Sequence, residues 1–231
     1  MNGVIFGGKH SYLDWGLILT SSEIGFPLVK TEVVDVVGMN GCLDFTESMG
    51  DDIFYQNRSL KFTFTVVNHI ERWASLVSEI ANYINGKKIK IIRDADPAFY
   101  SEGRASIHQF QSSRAVGTLV VDVDAFPYKM DIQASNEEWL WDPFCFEDGV
   151  IHTGSITVSG SKTVTLVNRR MVLSPYITCS AAMTATFEGV TVNIPANVKT
   201  EVLDIRLHEG ENIVTFTGNG TVEIEYRGGS L

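Results

Sequence analysis

The residues best suited to metal or proton chemistry are five histidines, His10, His69, His108, His152 and His208, and no two stand four apart as helical metal ligands do. His208-Glu209-Gly210-Glu211 gathers possible ligands, yet acidic residues in a turn ordinarily serve solvation. Asp94-Ala95-Asp96-Pro97 could present two carboxylates to a cation. The same four residues also make a good turn, because Asp and Pro both favour one. Asp122 and Asp124 share one face of a strand, which is either a carboxylate pair or a solvated acidic face. No Gly-x-Ser-x-Gly elbow occurs. Gly218-x-Gly220 is a fragment of a phosphate-binding fingerprint that follows no βα unit. The reading is a protein that is not an enzyme, with no catalytic residues, no cofactor and no metal.

Composition narrows the partners. The 231 residues carry 28 acidic against 18 basic side chains, a formal net charge of −10, and the sequence pI is near 4.9. Such a chain has no global basic surface with which to replace the counterions of a nucleic acid, and its charge opposes an anionic membrane. The densest basic run, Lys87, Lys88 and Lys90, reads as the solvated start of a strand. No run of about 18 apolar residues is present to span a bilayer. The opening residues lack a basic head followed by a long apolar stretch, so no targeting segment is read there. Hydrophobic residues make up 44% of the chain and include 13 Phe, which excludes intrinsic disorder. Cys42, Cys145 and Cys179 have no Cys-x-x-Cys spacing and read as small core residues of a protein made in a reducing cytoplasm.

The elements that must position these residues are mostly strands. One segment has a helical period: Ile70, Trp73, Val77, Ile80 and Ile84 share a face. Asn68 and Glu71 form a capping-box pattern before it, and Gly86 can end it, so a helix is expected over about 69–85. Leu60, Phe62, Phe64 and Val66 alternate with Lys61, Thr63 and Thr65 as a half-buried strand does, and Leu119, Val121 and Val123 repeat the pattern. Val33 to Met39 and Cys42 to Thr46 flank Asn40-Gly41, which suits a two-residue hairpin turn. That hairpin, within 32–58, mixes Val with Asp and Glu and is expected to project from the body. Trp139, Trp141, Phe144 and Phe146 crowd a packed connection at 131–150. Beyond it, strands are expected at 162–168, 176–180, 183–188, 190–194, 201–207, 212–217 and 221–227, with a turn at Gly218-Asn219-Gly220. Their even spacing suggests an antiparallel sandwich.

An ordered series of short patterns in the first 130 residues resembles the amino-terminal domain of the distal tail proteins of siphophages, the Dit family. Phe6-Gly7-Gly8-Lys9-His10-Ser11-Tyr12 with Asp14-Trp15-Gly16-Leu17 is similar to its opening strand and turn. Lys30-Thr31 through Asp35-Val36-Val37-Gly38 and Gly41-x-Leu43-Asp44 resembles its extended hairpin. Tyr55-x-Asn57-Arg58 before Leu60-Lys61-Phe62-Thr63-Phe64 is similar to the strand ahead of the helix. Asn82-Tyr83-Ile84-Asn85-Gly86-Lys87, Asp94 to Tyr100, Gly103-Arg104 and Gly117-Thr118 to Pro127-Tyr128-Lys129 continue in the same order. The strands of the second half, ending Val222-Glu223-Ile224-Glu225-Tyr226-Arg227, resemble the galectin-like domain of shorter members. The His-x-Asn-Pro-Arg pattern of sugar-binding galectins is absent, and Asn168-Arg169-Arg170 does not replace it.

The resemblance implies a mainly β, two-domain fold. Its parts are a β-sandwich-like domain over 1–130 with one helix and an extended hairpin, the connection at 131–150, and a galectin-like antiparallel sandwich over 151–231. It implies a structural hub at the virion tail tip, made in the bacterial host cytoplasm, of a phage or prophage. There a homo-hexameric ring would join the tail tube protein to the tail-associated (Tal-like) protein and anchor receptor-binding proteins. Genome DNA would pass through the ring without specific binding, and no membrane would be involved. Within the hairpin, Val36, Val37, Met39, Asn40 and Gly41 are the candidates for the subunit contact. The alternative is a tail-tip adhesin that binds a cell-wall carbohydrate through the second half, with Trp139, Trp141, Phe144 and Phe146 as its stacking group.

Overall fold

The computed structural model describes residues 2–48, 52–66, 72–113, 116–137 and 153–231, and these divide into two compact units, Met1–Lys129 and Met130–Ser230. The fold is mainly β. The first unit contains β1 (Val4–Phe6), β2 (Lys9–His10), β3 (Ile18–Ile24), β4 (Val33–Asp35), β5 (Cys42–Asp44), β6 (Arg58–Val66), α1 (Trp73–Ile84), β7 (Lys88–Arg93), β8 (Asp96–Ser112) and β9 (Gly117–Ala125). Seven of its strands form one sheet in the order β2-β1-β7-β8-β9-β6-β3.

Alternation decides which face of this sheet is inside. Leu60, Phe62, Phe64 and Val66 of β6 and Leu119, Val121 and Val123 of β9 are all buried. Their antiparallel register sets Leu60 opposite Val123, Phe62 opposite Val121 and Phe64 opposite Leu119. Apolar residues therefore meet across the ladder, which is how side-chain pairs stabilise a sheet. Helix α1 lays Trp73, Ile80 and Ile84 into the same core. It ends where the Gly86 N–H donates to Ala105 O at 2.7 Å. The expected start of the helix, with Asn68, Ile70 and Glu71, lies outside the described residues. Phe6 meets Phe62 edge to face at 5.8 Å and Phe64 at 6.1 Å, forming an aromatic centre with Trp15. Phe62→Ala should cost about 3–5 kcal/mol, because the surrounding strands cannot close the cavity. A urea midpoint for the first unit that stays unchanged would contradict this.

At one edge His10 knits the amino terminus to the β7–β8 turn. Its Nε2 lies 3.0 Å from Asp94 Oδ2, while its Nδ1 accepts the backbone N–H of Tyr12 and Leu13. Asp94 also accepts the Gly3 N–H at 2.8 Å. The Asp94-Ala95 step is a tight link between β7 and β8, so this part of Asp94-Ala95-Asp96-Pro97 is a turn and Asp96 already opens a strand.

Strand β10 (Lys129–Asp131) opens on Lys129, the last residue of the Met1–Lys129 stretch, and the second unit holds β11 (Ser155–Asn168), β12 (Tyr176–Cys179), β13 (Met183–Phe187), β14 (Val190–Ile194), β15 (Thr200–Glu201) and β16 (Gly210–Glu225). The sheet order is β14-β13-β16-β12-β15, with β11 also paired to β16. Strand β16 organises the unit. Its first half pairs with β13 and its second with β12, while β11 follows it from Asn168↔Gly210 to Ser155↔Glu223. Val214, Phe216, Val222 and Ile224 point from it into a core completed by Leu166, Ile177, Ala185 and Leu207.

The structure corrects two sequence expectations here. Gly218-Asn219-Gly220 is no turn: the chain runs through it as one strand, with φ of +148° at Gly218 and +146° at Gly220. These inward positions are filled by Met183, whose Cγ would lie 2.6 Å from a Cβ at residue 218. The expected strand at 201–207 is reduced to Thr200–Glu201, and Val202, Ile205 and Leu207 are buried from a loop instead. Asn212 holds that loop, accepting the His208 N–H and donating to His208 O and Gly210 O.

Candidate interaction surface

Residues 28–45 leave the body of the first unit as a two-stranded arm, and every one of them is exposed. Its base is closed by Lys30 N–H to Phe54 O and Gln56 N–H to Leu28 O, with a bridge between Val29 and Tyr55. Farther out, β4 and β5 pair Val33 with Asp44, Val34 with Leu43 and Asp35 with Cys42. The tip differs from the two-residue turn expected at Asn40-Gly41. Met39 N–H donates to Val36 O at 3.1 Å, and Gly38 takes φ of +87° at the third position of that turn. The loop is longer because Gly38, two residues before Asn40, supplies the left-handed conformation first.

The candidates Val36, Val37, Met39, Asn40 and Gly41 therefore all sit at the tip of the arm. Val37 is fully exposed, and Val36, Met39, Leu43 and Phe45 are each more than 40% exposed. Isolated two-stranded ribbons are marginal in water, and this one carries exposed apolar residues along both of its strands and its tip. Cys42 was expected in a core; it lies exposed on β5, and its thiol donates to Asp35 Oδ1. That hydrogen bond holds the Cys42 thiol above its ordinary pKa. Cys179 is buried, as a small core residue should be, while Cys145 lies outside the described residues.

The residues weighed for chemistry are dispersed into structural pairs. Glu209 pairs with Arg170 at 2.9 Å, and His108 Nδ1 lies 3.2 Å from Asp122. Arg169 is tied to Asp131 through Nε, and Asn168 is buried with its amide donating to Met171 O and Leu207 O. Among the described residues no group of three or more His, Cys, Asp or Glu could hold a metal ion, and no helix is long and apolar enough to cross a membrane. Ser159-Gly160-Ser161-Lys162 has the Ser-x-x-Lys spacing of some nucleophilic enzymes. It lies on a regularly paired strand, where residues three apart point to opposite faces. Trp139, Trp141, Phe144 and Phe146 lie outside the described residues.

One polar cluster was not foreseen. Arg58 opens β6 on the core face and is 6% exposed, with Nη2 donating to Ser101 Oγ at 3.1 Å. Asp96 Oδ2 meets Arg93 at 3.0 Å and Lys129 at 2.9 Å. Burial, and then the nearby charge of Arg93, push the Arg58 guanidinium below its ordinary pKa. The only sequence signal for this site is an arginine standing where the inward alternation of β6 calls for an apolar residue.

No family model and no curated protein sequence matches the chain. Among solved structures it is similar to the SPP1 Dit protein, described as a paradigm of the hub adsorption apparatus in phages that infect Gram-positive bacteria. The likeness covers 98% of this chain and 99% of that one, with a TM-score of 0.63 at 10% sequence identity. What the two share is the Dit-like fold across both units.

Proposed function

We propose that this chain is a structural, non-catalytic hub protein of a phage or prophage tail tip. In this reading six copies close into a ring that joins the tail tube protein to the tail-associated protein and anchors receptor-binding proteins. The observation that carries it is the arm at residues 28–45, ordered yet wholly exposed, on a fold that matches a phage hub protein over nearly the whole chain. A head-to-tail contact made by such an arm closes into a ring when the rotation permits. The net charge of −10 suits an opening through which DNA slides, because like charge repels phosphate.

Light scattering on the purified chain tests this. Six copies of the 25.6 kDa chain give a particle of about 154 kDa. A species that stays at the single-chain mass at high concentration, and also with a tail tube partner present, would overturn the ring.

A further inference from the structure

Buried arginines ordinarily have a carboxylate beside them, because a buried cation left without its partner is strongly destabilising. Among the described residues Arg58 has none in contact. Its one hydrogen bond among the described residues goes to the neutral Ser101 hydroxyl, and its Nε is buried with no partner. Among the described residues the carboxylate that pairs in this cluster, Asp96, is committed through Oδ2 to Arg93 and Lys129. Three cations thus surround one anion, in a chain whose overall charge is −10. The side chains of Arg93, Lys129 and Asp96 are each between 23% and 30% exposed, so the cluster opens to solvent on their side.

We propose that Arg58, Arg93 and Lys129 form a carboxylate-binding site, filled in the assembled particle by an acidic side chain of a second copy. A guanidinium offers planar N–H donors whose spacing matches the two oxygens of a carboxylate. The source follows from the charges: the exposed arm bears Glu32, Asp35 and Asp44 beside its apolar residues, so a second copy brings acid and apolar surface together. The choice of source rests on the assembly proposed above; the carboxylate chemistry of the site does not.

Malonate, a small dicarboxylate, is the probe. Thermal unfolding of the full chain is followed in sodium malonate and in sodium chloride at matched ionic strength. The midpoint should rise by about 3–6 °C at a tenfold excess over the dissociation constant. Arg58→Met should remove that malonate-specific rise and, without malonate, should unfold no lower than the parent chain, because it removes an uncompensated buried charge. Arg58→Lys, which keeps charge but loses the planar fork, should give a smaller rise. Equal malonate responses in the parent and Arg58→Met would overturn the site. So would an Arg58→Met chain that is folded but markedly less stable, since that is the mark of a purely structural arginine. The source is read by light scattering: malonate should dissociate the parent particle, and Arg58→Met should assemble weakly. A particle indifferent to both, in chains that still show the malonate rise, would overturn the second copy as the source.

Discussion

The expected result of Val37→Asp is a chain that folds normally and no longer assembles. Folding is untouched because Val37 is fully exposed at the arm tip and packs on nothing within its own chain. Assembly suffers because the side chain proposed to be buried between copies becomes a carboxylate. Burying a Val side chain contributes about 1.5–3 kcal/mol, and desolvating an unpaired carboxylate in its place adds a further penalty. A loss of 1.4 kcal/mol is about tenfold in an equilibrium constant, and every contact in a homomeric ring carries the same substitution. Light scattering should therefore show single chains at concentrations where the parent forms rings, with an unchanged circular dichroism spectrum. Val37→Thr, which nearly keeps the shape, should weaken the ring far less. An intact ring in the Val37→Asp chain would remove the tip from the subunit contact.

How far the sequence could be read depended on whether a residue's role was local. The alternation in β6 and β9 was legible because a half-buried strand imposes a period of two, and Leu60 to Val66 obey it without interruption. The turn at the arm tip was misplaced by three residues, Val37-Gly38 standing where Asn40-Gly41 was expected, because both glycines satisfy turn chemistry and the hydrogen bond from Met39 to Val36 closes on the first. Strand β16 was cut in two because glycine pairs signal turns. Here the glycines answer a contact with Met183, 35 positions earlier, which no local pattern records. Arg58 stood in plain sight in a strand read for its apolar residues, and its surroundings are set by β7, β8 and the chain at Lys129. The arm's exposure was legible as a projecting hairpin, because its Val residues are mixed with Asp and Glu and leave it no core of its own.

The second unit offers the sharpest stability test of this long-range control. Gly218→Val should strongly destabilise the unit. A Cβ at residue 218 would stand 2.6 Å from Met183 Cγ and 3.1 Å from Met183 Cβ, and Met183 is buried with only 4% of its surface exposed. The φ of +148° is itself unfavourable for any residue with a side chain, at about 1–3 kcal/mol. Overpacking a tight core typically adds another 1–3 kcal/mol. The two contributions together, about 2–6 kcal/mol, are a large share of the stability of an average domain, which lies at about 5–15 kcal/mol. Urea unfolding should therefore show the first unit's transition retained, while the second unit's moves to much lower denaturant or vanishes. The pair Gly218→Ala with Met183→Ala separates the causes. Removing the Met183 side chain relieves the overlap and leaves the backbone strain, so the double variant should recover part of the loss that Gly218→Ala shows in a chain retaining Met183. Full recovery would assign the whole effect to packing. A Gly218→Ala chain with the parent's midpoint would show that the strand shifts to admit a side chain, and that glycine is not required where β16 passes Met183.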